Sequence, residues 1–199
     1  MPHHTQALGA LIASRICHDL VSPLGAVGNG LELLGLSGSA EGPEMALVTA
    51  SAAQALARVR LFRLAFGQAE AEQVTRAEEL RDILGTLHEG GRIALSLHIT
   101  GPLPRPTAQI LLLGLLCVEQ ALPQGGQISL NQTPEDWQIV ATAPRLAPQP
   151  DLWQALCTGA PWPKVSPAQV HFLILHQCLA AQSLALQHML TDTEFRVTL

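Results

Sequence analysis

The first third of the chain carries apolar residues at alternating steps of three and four, the pattern of a helix with one apolar face. The spacing predicts a helix over residues 6–36 and a second helix that begins at Pro43 and reaches Phe66. Residues 37–39 (Ser-Gly-Ser) break the pattern, and Gly42-Pro43 forms a turn with proline at the first helical position. The two apolar seams are Ala10, Ala13, Cys17, Leu20, Leu24, Val27, Leu31, Leu34 and Met45, Val48, Ala52, Ala55, Val59, Phe62, Phe66.

Two such helices form a hairpin, but they cannot cover each other's apolar surface completely. A second copy related by a twofold axis would cover it and complete a four-helix bundle. We therefore expect a homodimer. The alternative is that the remainder of the same chain packs over the hairpin.

Beyond about residue 70 the helical and strand-like patterns alternate. The predicted helices cover 76–88, 106–122 and 167–181, with a short helical piece near 151–156 inside a proline-rich loop over 144–167. The predicted strands cover 92–100, 127–131, 137–142, 183–190 and 194–199. This order predicts an α/β sandwich, a mixed sheet with helices on one face. The fold class is thus α+β, with a hairpin domain over residues 1–68 and a sandwich domain over residues 69–199.

Composition and charge narrow the function classes. The chain has 199 residues, 11 basic and 16 acidic side chains and a formal net charge of −5, which argues against a nucleic-acid binder. No apolar run approaches the roughly 18–20 residues of a membrane span, and the N-terminus lacks a signal-peptide pattern, so we expect no membrane association. The four cysteines have neither disulfide-framework nor metal-ligand spacing. They indicate reduced thiols in a cytoplasmic protein and no metal site.

The polar face of the first helix carries the candidate chemistry. His18 lies about 140° from the centre of the apolar seam, so its imidazole is expected to face solvent, where it is a nucleophile near neutral pH. Asp19 follows it and can orient the ring or accept its proton. Pro23 lacks the N–H that would bond the Asp19 carbonyl, which predicts a kink or loosened turn beside His18. The same polar stripe contains Ser14, Arg15, Ser22, Gly25, Asn29 and Glu32.

These residues stand in a specific string. ICHDLVSPLGA at residues 16–26 resembles the H-box of two-component histidine kinases, and its continuation VGNGLELL at residues 27–34 is similar to ChpT-type histidine phosphotransferases of bacterial phosphorelays. In that family a dimeric helical hairpin carries the phosphorylated histidine, and a degenerate kinase-like ATPase domain follows it. The resemblance implies that His18 is the phosphoacceptor and that Asp19 orients it or accepts its proton.

The motifs of a nucleotide site are missing from the second half. Where the resemblance places the two asparagines of a kinase N-box, the chain has Gly114 and Val118. The glycine-rich adenine-binding box expected after the strand ending at Thr142 is replaced by APRLA at residues 143–147. The resemblance therefore implies a phosphotransferase without a bound cofactor and without autokinase activity.

The resemblance also implies the partners. The receiver domain of a hybrid histidine kinase would donate the phosphoryl group to His18, and response-regulator receiver domains would take it, with Mg²⁺ held by the receiver. The residues expected to contact these partners are Arg15, Ser22, Gly25, Asn29 and Arg63. Two alternatives remain: a non-catalytic scaffold or inhibitor that docks a kinase or receiver domain, and a residual ATP-dependent kinase.

Overall fold

The fold begins with a helical hairpin, as the apolar spacing predicts. The computed structural model describes residues 2–37, 42–159 and 161–199. In it, α1 (Pro2–Ser37) is followed by α2 (Pro43–Phe66). The predicted break falls partly on residues 38 and 39, which lie outside the described residues.

Two glycines shape the hairpin. Gly42 precedes α2 with φ 147°, a conformation that glycine adopts at little cost, and proline follows in the first turn as predicted. Gly30 on α1 is buried against α2, and a Cβ at this position would collide with the Val48 side chain and approach the Glu44 carbonyl. The close approach of the two helices therefore depends on a residue without a side chain at position 30.

The second domain contains short strands around a central helix. Its first part comprises β1 (Val74–Thr75), α3 (Ala77–His88), β2 (Ile93–His98), β3 (Leu103–Pro104) and α4 (Arg105–Glu119). Its second part comprises β4 (Gly126–Gln132), β5 (Trp137–Thr142), α5 (Pro150–Thr158), a 3-10 turn (Pro167–Gln169), α6 (Val170–Ala181), β6 (Gln187–Leu190) and β7 (Glu194–Thr198). Five strands form one sheet in the order β2-β4-β5-β7-β6. Only β2 and β4 are parallel, so the sheet is mixed, as predicted.

One face of this sheet is buried against helices. On β5, Ile139 and Ala141 are fully buried while their neighbours are half-buried or exposed. α4 packs on this face through Gly114, where a Cβ would lie only 2.9 Å from the Ile139 side chain. Because α4 also contacts α2 and α6, nearly every residue of α4 is buried. The predicted sandwich with helices on one face is therefore confirmed.

Several predicted elements differ in extent. The first helix begins at Pro2 rather than at residue 6, and the strand predicted over 92–100 covers Ile93–His98. The helix predicted over 106–122 ends at Glu119, and the strand predicted over 183–190 is reduced to Gln187–Leu190, because Ser183 adopts φ 54° in the turn after α6. The helix predicted over 167–181 starts with a 3-10 turn. The two-residue strands β1 and β3 were not predicted, since two residues are too few to show periodicity.

The hairpin is fastened to the second domain at the end of α2. Arg105 on α4 donates to the Arg63 carbonyl at 2.9 Å. Gln109, one turn later, donates to the carbonyls of Ala65 at 3.0 Å and Gly67 at 2.8 Å. These buried side chains supply acceptors at the end of the helix with donors; the Arg63 carbonyl also accepts from the Gly67 N–H at 3.2 Å. The orientation of the hairpin is thereby tied to the central helix of the second domain.

The first helix remains largely uncovered. Within the described residues, Ala7–Leu34 is the one helix whose length and apolar composition would allow it to cross a membrane, which the sequence prediction did not anticipate. A bundle helix with an uncovered seam satisfies the same criterion. Arg15 and Asp19 lie near its middle, where a charged side chain costs about 2.5–3.5 kcal/mol on insertion into lipid.

Candidate functional site

His18 stands on the exposed face of α1, as predicted. Its side chain is 86 % exposed, and its Nδ1 atom lies 3.0 Å from Oδ1 of Asp19. A carboxylate accepts hydrogen bonds, so the geometry assigns the ring proton to Nδ1. The lone pair on Nε2 is then free and points away from this contact. The arrangement presents one unprotonated imidazole nitrogen to an approaching electrophile.

The helix continues through Pro23 without ending. Pro23 has no N–H to donate to the Asp19 carbonyl, so one backbone hydrogen bond of the ladder is missing one turn after His18. The turn where the sequence predicts a kink or loosening thus stays inside the helix, and α1 continues to Ser37.

The side chain of Asp19 is much less exposed than that of His18. Its side chain is 11 % exposed, and its second oxygen, Oδ2, lies 2.8 Å from Nε of Arg15. Arg15 is itself only 19 % exposed, and its Nη1 donates to the carbonyl of Ala168 in the second domain at 2.9 Å. The guanidinium of Arg15 is thus engaged within the chain, and its predicted contact with a partner stays a prediction.

The other residues expected to contact partners remain accessible. Ser22, Gly25 and Asn29 are exposed along α1, and nothing lies within 4 Å of a Cβ built on Gly25. Arg63 on α2 is 68 % exposed and forms an ion pair with Glu79 of α3 at 3.0 Å. The structure places the three α1 residues on the helix that carries His18, whereas Arg63 lies at the junction with the second domain. Their role in binding stays a prediction.

A cavity lined in part by Asp19 was not predicted from the sequence. It measures about 270 Å³ and lies at the junction of the two domains, with charged lining from Arg15, Asp19, Arg58, His88, Arg92 and Glu119. His88 bridges α3 and α4: its Nε2 lies 2.9 Å from Glu119 and its Nδ1 lies 2.8 Å from the Leu84 carbonyl. Since both nitrogens face acceptors, the geometry fits the doubly protonated ring. Burial lowers the pKa of His88, but the hydrogen bond and charge of Glu119 outweigh it and raise the pKa overall.

The positions that replace a kinase N-box face the core. Gly114 lies against Ile139 of the sheet, and Val118 is fully buried. The loop after β5 turns back to α4, with the Ala147 N–H donating to the Ala121 carbonyl at 2.9 Å. The Val118 side chain, and any side chain added at position 114, would therefore meet packed neighbours rather than an open cleft.

His171 on α6 is buried next to Arg15, and neither of its ring nitrogens has a hydrogen-bond partner within the described part of the chain. Burial, with a further contribution from the charge of Arg15, lowers its pKa from 6.5 to about 3. The ring is therefore neutral at pH 7. A positive charge there would face the Arg15 guanidinium that holds Asp19.

This burial makes stability depend on pH. Below pH 6.5 the unfolded chain takes up a proton at position 171 that the folded chain refuses until about pH 3, so the folded state loses stability as pH falls through that range. At pH 5 the loss amounts to about 2 kcal/mol. Urea unfolding at pH 7 and pH 5 should show a fall in unfolding free energy that is larger by this amount in the wild type than in His171→Leu. A His98→Leu variant, altered at an exposed histidine, serves as control, and equal falls in the wild type and His171→Leu would contradict the prediction.

Comparison with known proteins identifies the family of this chain. The family model described as "Histidine phosphotransferase C-terminal domain" matches residues 77–194. The curated "Protein phosphotransferase ChpT" of Brucella abortus (strain 2308) is 34 % identical over 166 residues, covering 77 % of this chain and 75 % of that protein. A solved bacterial phosphotransferase structure superposes with a TM-score of 0.77 at 27 % identity, covering 97 % of this chain and 95 % of the other. The chain therefore belongs to the histidine phosphotransferase family, and it is a ChpT-like phosphotransferase of a two-component phosphorelay.

Proposed function

We propose that His18 is the phosphoacceptor of this phosphotransferase and that Asp19 orients its ring. The observation that carries the proposal is the exposed imidazole whose Nδ1 atom is held at 3.0 Å by a nearly buried carboxylate. In the neutral ring, a carboxylate in this place fixes the ring rotation and favours the tautomer with the proton on Nδ1 and the lone pair on Nε2. An exposed nucleophile with a fixed tautomer suits attack by another protein's phosphoryl group.

The phosphoryl group is then transferred in two steps. The Nε2 lone pair attacks the phosphorus of an aspartyl phosphate on the donor receiver, the N–P bond forms, and the P–O bond breaks to release the receiver's carboxylate. The proton on Nδ1 stays in place, and Asp19 stabilises the positive charge that develops on the ring. In the second step a carboxylate of another receiver attacks the phosphorus and His18 leaves as neutral imidazole. Positioning and charge neutralisation supply most of the rate in such transfers.

We further propose the partners on either side of these steps. A phosphorelay protein works between kinase and receiver domains, and we assign the donor to the receiver domain of a hybrid histidine kinase and the acceptors to response-regulator receivers. The receiver holds the Mg²⁺ that neutralises its phosphoryl group in an acidic pocket, so no cofactor is assigned to this chain. Ser22, Gly25 and Asn29 offer small, exposed side chains on the same helix, where a receiver can approach closely.

A homodimer follows from the uncovered apolar face of the hairpin. The second domain buries the C-terminal part of α2, including Leu61 and Leu64, and packs against Leu11 and Ile12 of α1, so the alternative in which the rest of the chain covers the hairpin holds for these parts. The large apolar side chains that stay exposed on the two helices are Val21, Leu24, Leu31, Leu33, Met45, Leu47, Leu56 and Val59. Leu24 and Leu31 share one face of α1, and Met45, Leu56 and Val59 share one face of α2, and these exposed apolar side chains fit a second hairpin related by twofold symmetry.

We propose a cytoplasmic location because the proposed partners are intracellular signalling domains. The four cysteines are all free thiols, as expected in a reducing compartment.

Labelling of the purified full chain tests this function. One sample receives radiolabelled ATP with Mg²⁺, and another receives a receiver domain already phosphorylated by its hybrid kinase. We expect acid-labile label in the second sample only, and peptide mapping should place it on residue 18. Label from ATP alone would overturn the assignment in favour of a kinase. An unlabelled chain that still binds the receiver would overturn it in favour of a scaffold.

A further inference from the structure

We propose that Arg15 is a positioning residue through which the second domain controls which nitrogen of His18 reacts. The inference rests on the proposed function of His18 and extends it to the domain that does not carry the histidine. Four groups form a continuous chain of contacts: His18, Asp19, Arg15 and the carbonyl of Ala168. The two ends of this chain are 150 residues apart in sequence, since it joins α1 to the turn before α6.

The first contact determines the tautomer of His18. Asp19 has two carboxylate oxygens, and each has its own partner: Oδ1 lies 3.0 Å from His18 Nδ1, and Oδ2 lies 2.8 Å from Arg15 Nε. Because the arginine occupies one oxygen, the carboxylate cannot rotate freely about its own axis. Its other oxygen is thereby aimed at the ring, and the charge-assisted pair keeps it there.

The second contact fixes the arginine. Arg15 is only 19 % exposed, and its Nη1 donates to the Ala168 carbonyl at 2.9 Å. Gln120, at the end of α4, donates to the same carbonyl through Nε2. A long, flexible side chain would otherwise sample several rotamers; the ion pair with Asp19 on one side and the hydrogen bond to the Ala168 carbonyl on the other select one of them.

The Ala168 carbonyl is itself held firmly by the second domain. It lies in the 3-10 turn Pro167–Gln169, where the Gln169 side chain accepts from the Ser166 N–H at 3.0 Å and from the Ser166 hydroxyl at 2.8 Å. Gln169 also donates through Nε2 to Gln149 Oε1 at 2.6 Å. The turn is thus fastened to the loop before α5, and its carbonyl is a fixed point against which the phosphoacceptor helix is set.

The chemical consequence concerns the reacting nitrogen. With Asp19 held in place, Nδ1 keeps the proton and Nε2 attacks phosphorus. If Arg15 is removed, the carboxylate can turn to solvent, and His18 populates the other tautomer, in which Nε2 carries the proton and cannot attack. Arg15 touches neither the phosphoryl group nor the ring, so its effect is exerted entirely through Asp19.

Nitrogen NMR of the full chain with ¹⁵N-labelled histidine reports the tautomer without any phosphoryl transfer. We expect the wild type to show a His18 signal of the Nδ1–H form, assigned by its absence in His18→Ala. Arg15→Ala should move the signal toward the Nε2–H form and slow transfer from a phosphorylated receiver by about 10-fold. Arg15→Lys, which keeps the charge but cannot bond both groups in this geometry, should lie between the two.

A variant that leaves α1 intact gives the sharper test. Gln169→Ala releases the turn that holds Ala168, and it should shift the His18 tautomer in the same direction as Arg15→Ala. Asp19→Asn should show the largest shift, and Arg145→Ala, at an exposed arginine of the second domain, should show the wild-type signal. Circular dichroism verifies that each variant is folded.

The outcomes distinguish a failure of the positioning role of Arg15 from a failure of His18 as the phosphoacceptor. A wild-type tautomer in folded Arg15→Ala and Gln169→Ala would overturn the positioning role, even if His18 carries the label. The expected tautomer shifts, together with label that persists in His18→Ala, would retain the positioning role for the ring but overturn His18 as phosphoacceptor.

Discussion

Alanine in place of His18 is expected to abolish phosphoryl acceptance from a phosphorylated receiver while leaving the fold intact. The ring is 86 % exposed, and within the described residues it forms its hydrogen bond with Asp19, so its removal leaves no cavity and costs little stability. It removes the only nucleophile in the proposed reaction, so transfer should fall below detection. Loss of label from the receiver, followed in time by gel autoradiography, is the measurement.

A matched control separates loss of the nucleophile from a general effect of removing a histidine. His98 is exposed on β2, and His98→Ala should accept label at the wild-type rate. Binding of the receiver, measured by calorimetry, should also survive in His18→Ala, since the docking surface is unchanged. Acid-labile label on folded His18→Ala would refute the assignment of this residue.

The exposed site on α1 was predictable because it depends on local geometry alone. In a helix of known phase, the direction of a side chain follows from its position, and the seam from Ala10 to Leu34 fixed the phase. Asp19 adjoins His18 in sequence, so a contact between them required no knowledge of the tertiary fold. The same reasoning located the hairpin, since its two seams and the Gly42-Pro43 turn are all local signals.

The direction taken by Arg15 was not predictable in this way. Arg15 shares the polar stripe of His18, and the stripe alone suggested an exposed cation available to a partner. Its actual acceptor is the carbonyl of Ala168, which is distant in sequence. A backbone carbonyl leaves no trace in the residue types, so no pattern in the sequence could have marked it as a partner for this arginine.

Contacts between residues that are distant in sequence also explain why the other features of the site were not predicted. His88 and Glu119 lie on different helices and are joined only when α3 packs beside α4, and the cavity they line exists only at the junction of the two domains. Gln109 falls within a predicted helix, but the pattern gives no sign that its amide donates to carbonyls at the end of α2. Periodicity shows which side chains are buried. It does not show to which backbone carbonyls a buried polar side chain will donate.

Aspartate in place of Leu24 is expected to convert the proposed dimer into monomers. Leu24 lies on the α1 seam and is 55 % exposed in the single chain, and the twofold bundle would bury it in both protomers. Losing two buried leucine side chains costs about 4 kcal/mol per dimer, a dissociation constant raised about 1,000-fold, before the charge is considered. Two carboxylates brought into the apolar interface add desolvation and like-charge repulsion to this cost.

Sedimentation equilibrium over a range of protein concentrations measures the association directly. Leu184 is the matched control: it is 47 % exposed on the second domain, away from the hairpin seam, so Leu184→Asp should sediment like the wild type. A monomeric wild type at micromolar concentration, or an undiminished dimer in Leu24→Asp, would show that the apolar face of the hairpin serves another purpose. If the dimer dissociates as expected, the hairpin loses the second copy that covers its seam, and its thermal unfolding should shift to lower temperature in Leu24→Asp alone.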